Sequence, residues 1–242
     1  MQKDMFDYHV TFPNNFRTMV ILEREFLDKQ RKPTTKGSRF FYKKIYELYL
    51  NMLFDRQIDI ICSRPNCHPD FRCFLLNQRR KIIEKVLRRG YRKGHTPFLL
   101  VVPGLSDLSY DSSLHKVTWE DTPLNGDPNA VYCIFDVVIS KSRKWRSYNT
   151  EIDNIQYHKL LKKLSQKPHR HVLTLLETGA LIRNKEEILQ HYNVLVMGTT
   201  LGMRTPIIKL ENDQVIVEAV NIDLCYSGFL GIPTCRERLK IS

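Results

Sequence analysis

The amino-acid sequence predicts an α+β fold, in which a basic, mainly helical N-terminal segment (residues 1–95) precedes an α+β core (residues 96–242) with a β-sheet of about five strands. Apolar residues recur at helical spacing before His95, whereas short β-branched runs bounded by turn residues follow it. The chain has 242 residues, of which 42% are hydrophobic, so it is long enough to bury a sizeable core.

Three helices are predicted in the N-terminal segment, within residues 16–30, 39–61 and 74–95. Pro33 and Gly37 separate the first two, and Gly90 and Gly94 close the third. The apolar positions repeat every three or four residues: Met19, Leu22, Phe26 and Leu27 in the first helix, and Phe41, Ile45, Leu48 and Met52 in the second.

The core alternates predicted strands with predicted helices. Two polar, periodic stretches at residues 155–167 and 184–192 are typical of helices. Five short apolar runs, each bounded by Gly, Pro, Asn or Asp, predict the strands: residues 97–102, 130–140, 171–177, 193–199 and 214–222.

Positive charge is concentrated in the N-terminal segment. Residues 1–95 hold 21 Lys and Arg against 10 Asp and Glu, whereas residues 96–242 carry a net charge of only +1. The third helix would suit nucleic-acid phosphates with low sequence specificity, and a solvated basic face is the simpler alternative. Its basic residues are Arg79, Arg80, Lys81, Lys85, Arg88, Arg89, Arg92 and Lys93.

Six cysteines are many for a chain of this size, and three lie close together. Cys62, Cys67, His68 and Cys73 form a possible zinc ligand set, but their spacing lacks the two close pairs of a typical site. Free buried thiols and late disulfides between packed molecules are the alternatives.

No nucleotide-binding, zinc-protease or nucleophile-elbow motif occurs in the sequence, so we expect neither an enzyme nor a cofactor nor a small-molecule substrate. A degenerate metal-dependent nuclease stays open, although Asp136 stands alone in its strand and Glu177 lies far along the chain. The sequence also lacks an apolar run long enough to span a membrane, and its N-terminus does not look like a signal peptide.

The order of segments in the core resembles that of the polyhedrin/granulin family, the occlusion-body proteins of baculoviruses and their relatives. The matching segments lie in the same order at similar spacing: Leu100-Val101-Val102, Glu120-Asp121-Thr122, Ile134 to Val138, the basic loop from Ser140 to Tyr148, Pro168 to Glu177, Val194 to Thr199, and Val217-Glu218. The family's glutamate run is replaced by Arg204 to Asp213, its tryptophan-rich middle is reduced to Trp119 and Trp145, and residues 1–95 do not align. The chain therefore resembles a divergent member.

This resemblance implies a structural protein without an active site. Such a protein assembles with copies of itself into a crystalline occlusion body, embeds virions inside the infected cell, in the nucleus, and dissolves in the alkaline insect midgut. Contact between the basic segment and the near-neutral core would let copies propagate rather than close into a ring. The expected interface anchors are aromatic: Phe40, Phe41, Tyr42, Tyr46 and Tyr49.

Two chemical properties of the chain would suit such a lattice: titration in alkali and crosslinking by disulfides. Titration of the lysines and the 11 tyrosines at reference pKa values would move the net charge from +12 to about −3 near pH ~10.5, which would loosen the lattice. Disulfides between molecules would toughen it, and the candidate cysteines are Cys62, Cys67, Cys73, Cys225 and Cys235.

Overall fold

The computed structural model describes residues 14–28, 36–64, 67–102, 120–121, 131–141, 169–200, 202–221 and 230–241. The chain divides into two compact units. Unit 1 comprises Met1–Ser63 with His68–Lys93, and unit 2 comprises Arg64–Cys67 with Gly94–Ser242. Cys225, both tryptophans and the predicted helix at residues 155–167 lie outside the described residues.

Unit 1 is built from helices. Its elements are α1 (Asn14–Ile21), a π-helical turn (Leu22–Leu27), α2 (Lys36–Cys62) and α3 (Pro69–Leu87). Pro69 occupies the first turn of α3, where its missing N–H costs no hydrogen bond, and the His68 side chain accepts a hydrogen bond from the Asp70 backbone N–H. The sequence predicted these helices, but α3 begins five residues before the predicted stretch and ends eight residues before its end, and the π-helical turn was not expected.

Helices α2 and α3 pack antiparallel. Arg72 on α3 binds Asp59 on α2 at 2.8 Å. Further along α3, Arg79 pairs with Asp55, which comes earlier in α2, as an antiparallel arrangement requires. The Arg79 guanidinium also lies over the Phe54 ring, 5.2 Å from its centroid. Fully buried side chains fill the interior of this unit: Tyr49, Leu50, Phe54, Ile58, Leu75 and Ile82.

Unit 2 is organised around a mixed sheet, in which the described residues form eight strands, more than the five expected. Six strands run in the order β1-β3-β9-β5-β7-β8, while β10 pairs with β3 and β4 pairs with β9. A separate pair joins β2 to β6. The strands are β1 (Thr96–Val101), β2 (Glu120–Asp121), β3 (Tyr132–Lys141), β4 (His171–Val172), β5 (Asn193–Leu195), β6 (Thr199–Thr200), β7 (Arg204–Glu211), β8 (Gln214–Asn221), β9 (Leu230–Cys235) and β10 (Glu237–Lys240).

The predicted strand at residues 171–177 is wrong beyond its first two residues. Helix α4 (Leu175–Asn184) starts there because Thr174 and Glu177 form a reciprocal capping box. The Thr174 hydroxyl accepts from the Glu177 N–H at 3.3 Å, and Glu177 accepts from the Thr174 N–H at 2.8 Å. The T-x-x-E spacing carried this signal, but the apolar residues around it favoured a strand. The helix predicted at residues 184–192 is only a 3-10 turn, Glu186–Ile188.

Both faces of the sheet are apolar. Helix α4 contributes to one core, which includes Leu99, Ile134, Val194, Ile208 and Val217 from the strands. A second, smaller core is formed by side chains that alternate with these along the strands and therefore point to the other face, among them Ile207 and Val220. None of the described helices has the length and apolar composition that a membrane crossing requires.

Candidate functional site

The aromatic stripe expected on α2 divides into a buried part and an exposed part. Tyr46 and Tyr49 are 3% and 1% exposed and belong to the interior of unit 1, so neither can anchor an interface. Tyr42 is half-buried. Phe40 and Phe41, by contrast, are 65% and 57% exposed, and these two remain available for contact with another molecule.

Phe40 and Phe41 share a face of α2 with Leu48, which is 52% exposed. At 100° per residue these three side chains fall within an arc of about 100°, and we call them the α2 apolar face. Lys44 projects within the same arc, with its ammonium 6.0 Å from the Phe40 ring centroid and 3.6 Å from the Glu47 carboxylate. The face therefore joins aromatic surface to a pair of opposite charges.

Burial and nearby carboxylates raise the pKa values of three tyrosines of unit 1, two of them on α2. Burial, followed by the charge of Glu23 and a hydrogen bond to it, raises the pKa of Tyr49 well above its usual value. The Tyr91 hydroxyl donates to Asp28, and burial together with that bond raises the pKa of Tyr91 as well. Burial and Asp28 also raise the pKa of Tyr42. The sequence-based charge of about −3 near pH ~10.5 counted all tyrosines at their reference pKa, so it overstates the charge change of the folded chain.

The basic helix is partly neutralised by carboxylates within unit 1. Arg79 pairs with Asp55, Arg80 with Glu84 at 2.8 Å, and Lys93 with Asp28 at 3.8 Å. The hydrogen bond from Arg80 lowers the pKa of the Glu84 carboxyl below its usual value. Of the predicted basic patch, Lys81, Arg88 and Arg92 are exposed, whereas Lys85 and Arg89 are half-buried. The paired Arg80 and Lys93 side chains stay 90% and 72% exposed. Burial within this patch therefore affects mainly Arg79, Lys85 and Arg89.

The cysteines occupy different environments. Cys73 is exposed on α3, Cys62 and Cys67 are half-buried, and Cys133 and Cys235 are buried. Burial raises the pKa of the Cys235 thiol to about 12 and removes that side chain from the thiols a neighbouring copy can reach. In the part of the chain that the structure describes, no three His, Cys, Asp or Glu side chains are placed to hold a metal ion together.

Asp136 does not stand alone, as the sequence suggested. His95, 41 residues earlier, places its Nδ1 atom 2.5 Å from Asp136 Oδ1. Arg170 donates from Nη1 to the Asp136 carbonyl at 2.6 Å and from Nη2 to its carboxylate at 3.2 Å. Asp136 also has a φ of +56° in the middle of β3, a left-handed conformation that costs an L-residue free energy. The register of β1 and β3 pairs Thr96 with Val137 and Phe98 with Phe135, which leaves Pro97, a residue without an N–H, next to this position.

A second buried carboxylate, Glu177, is held by Arg238. Two parallel bonds join them, Nε to Oε1 at 2.7 Å and Nη2 to Oε2 at 2.9 Å, and Arg238 Nη2 also donates to the Val172 carbonyl at 2.8 Å. Burial alone would lower the pKa of Arg238, but the Glu177 carboxylate outweighs it and raises that pKa. Burial and the nearby Arg238 lower the pKa of His171.

These two sites are suited to holding strands in place. Arginine occupies each carboxylate, so neither Asp136 nor Glu177 presents the open acidic group that a metal nuclease needs. Together they link β3, β4, β10 and the start of α4. Sequence reasoning missed both partnerships because the paired residues lie 34 to 61 positions apart.

No family model, curated protein or solved structure matches this chain.

Proposed function

We propose that this chain is a structural protein that assembles with copies of itself, in the role of occlusion-body matrix that its resemblance to the polyhedrin/granulin family implies. The α2 apolar face is the observation that carries the proposal. Phe40, Phe41 and Leu48 each expose more than half of their surface on one face of α2, with Leu48 two turns further along the helix. Contiguous exposed aromatic surface on a folded chain marks a site of contact with another protein.

The charges around this face favour a copy of the same chain as the partner. Lys44 and Glu47 border the apolar residues and present both signs within one helical turn. A neighbouring copy carries the same pair, so an ammonium of one copy can meet a carboxylate of the next. A partner built only of acidic groups would meet Glu47 unfavourably.

Dissolution of the lattice in alkali would follow from three tyrosines of unit 1 whose pKa values are raised in the folded state. In the folded unit 1, burial and then the nearby Glu23 or Asp28 raise the pKa of Tyr49, Tyr91 and Tyr42. Above pH ~10 the unfolded chain loses these protons, so alkali destabilises the unit that bears the contact face. Loss of unit 1 structure, rather than a change of net charge alone, is the release step in this proposal.

The resemblance supplies the wider role: a lattice that embeds virions, assembled in the nucleus of the infected cell. Crosslinks through Cys62, Cys67 and Cys73 would toughen it, and Cys73 is the most accessible of the three. Nucleic-acid binding by the basic residues from Arg79 to Lys93 is the second candidate, in which a phosphate would compete with the carboxylates paired with Arg79, Arg80 and Lys93.

Paired substitution of the contact face tests the proposal. Phe40→Ser with Phe41→Ser should convert material that pellets into soluble chain, measured by sedimentation velocity, while circular dichroism stays unchanged. Met203→Ser is the matched control, because Met203 is also 52% exposed but lies in a turn of unit 2. Assembly that survives the double substitution would overturn the role of this face.

A further inference from the structure

The two edges of the large sheet differ in how they are protected. Strand β1 is the outermost of the described strands on one side; it carries Pro97 and is buried along its whole length. Strand β8 is the outermost on the other side and, among the described strands, pairs only with β7. Proline, bulges and exposed charges normally shield such an edge from other chains. Strand β8 contains no proline, and its single charge, Glu218, is bound by Lys209 of β7 at 2.7 Å.

The β7–β8 hairpin determines which backbone groups face outward. Asn212 and Asp213 both have positive φ, 50° and 59°, as a tight two-residue hairpin turn requires. The flanking residues Glu211 and Gln214 pair directly, and the register runs without a bulge to Arg204 and Asn221. Residues next to such a turn exchange hydrogen bonds, so even-numbered residues of β8 point their N–H and C=O groups toward β7.

A contact on the other side of β7 supports this alternation. The Pro206 carbonyl accepts the Val196 N–H at 2.9 Å, so the backbone of Pro206 faces β5 rather than β8. Ala219 lies opposite Pro206 and therefore makes no ladder bond to it. The N–H and C=O groups of Ala219, and by the same alternation those of Val215 and Val217, point away from the sheet.

We propose that β8 pairs antiparallel with β8 of a second copy, about a two-fold axis at Val217. In this register Val217 exchanges both backbone bonds with its own counterpart, and Val215 does so with Ala219 of the second copy. Glu218 then lies opposite Ile216 of the second copy. A two-fold axis at Glu218 would instead set two carboxylates directly opposite each other, which destabilises a strand pair.

Pairing about a two-fold axis yields a complete dimer, so this contact does not depend on the proposed matrix function. A chain that builds no lattice can still form the dimer. In a lattice, the β8 pair and the α2 apolar face would be two different contacts, and a lattice needs more than one kind of contact. The Phe40→Ser/Phe41→Ser background separates the two proposals, since these substitutions remove the α2 apolar face and leave β8 unchanged.

Proline at an outward position provides the test. Ala219→Pro removes an N–H that β7 does not use, so the hairpin should survive while the strand pair does not. In the Phe40→Ser/Phe41→Ser background we expect Ala219→Val, the control, to sediment at twice the 28.6 kDa chain mass and Ala219→Pro to sediment at that mass itself. A dimer that persists with Ala219→Pro, or a control that is monomeric at every concentration, would overturn the proposal.

Amide hydrogen exchange tests the register without any change to the strand. The amides of Ile216 and Glu218 face β7 and should exchange slowly at all concentrations. The amides of Val215, Val217 and Ala219 should become at least ~10-fold slower as the concentration rises through the dimer transition. Protection of these three that does not depend on concentration would mean that the same chain covers the edge, and would overturn the proposal.

Discussion

Arg238 and Glu177 form a buried, bidentate ion pair that links β10 to the first turn of α4. The two bonds measure 2.7 and 2.9 Å, and the Glu177 side chain is completely buried. The same carboxylate caps the helix through the Thr174 N–H at 2.8 Å. One side chain thus defines where a helix begins and which strand lies beside it.

We expect removal of one partner to be costly. Arg238→Met leaves the Glu177 charge buried and unpaired, which should lower the free energy of unfolding of unit 2 by about 3–5 kcal/mol. Urea unfolding followed by tryptophan fluorescence measures this, because both tryptophans belong to unit 2. Lys209→Met is the control: it removes a pairing with two half-exposed carboxylates, and should cost about 1 kcal/mol or less. Equal losses for the two variants would contradict the prediction.

Alkali should destabilise unit 1 through Tyr49. The folded state keeps the Tyr49 proton above pH 10, whereas the unfolded chain releases it, so the folded state binds more protons there. Stability contributed by this group is complete below pH ~10 and then falls by roughly 1.4 kcal/mol per pH unit. Tyr49→Phe loses a hydrogen bond at neutral pH, yet its stability should fall less steeply between about pH 10 and pH 12. Helical circular dichroism in urea at several pH values measures both slopes, and identical slopes would refute the assignment.

Asp136 should be replaceable by asparagine at lower cost than by alanine. Asparagine tolerates the left-handed conformation at φ +56°, and its side-chain oxygen can still accept the bond from Arg170 Nη2. Alanine disfavours that conformation and keeps only the bond from Arg170 Nη1 to the backbone carbonyl. We expect Asp136→Ala to be the less stable of the two by about 1–2 kcal/mol, measured by urea unfolding followed by tryptophan fluorescence. Equal stability of the two variants would mean that backbone conformation at this position does not matter.

Thiol accessibility should separate the cysteines into two classes. Cys73 is exposed and should react first with an aromatic disulfide reagent in the native chain, while Cys133 and Cys235 should react only after unfolding. Mass spectrometry of the labelled peptides identifies the sites. If assembled particles contain crosslinks, a non-reducing gel should show a ladder that weakens in Cys73→Ser and not in Cys235→Ser. A ladder that depends on Cys235 would contradict its burial.

Local patterns predicted much of this fold. The repeats of α2 and α3 and the β-branched runs of β1, β3 and β8 are signals within a single element, so the sequence reveals them. The start of α4 was missed because two local signals competed, and the capping box outweighed the apolar run. Strands β7, β9 and β10 were missed because Pro206, Pro233 and alternating charges weaken their β patterns.

The pairs of interacting side chains could not be predicted from local sequence patterns. His95, Asp136 and Arg170 come from three separate parts of unit 2, and only the sheet register brings them together. The exposure of Phe40 and Phe41 beside the burial of Tyr46 and Tyr49 has the same cause. A helical repeat shows that these residues share a helix, but tertiary packing decides which side is covered.

Powder diffraction of particles from expressing insect cells shows whether copies of this chain form an ordered matrix. Refractile particles that give sharp Bragg rings, persist at neutral pH and dissolve only above pH ~10 are the predicted result. Their loss in Phe40→Ser/Phe41→Ser would tie the lattice to the α2 apolar face. A clear lysate in which the unmodified chain is monodisperse and soluble would rule out the proposed matrix.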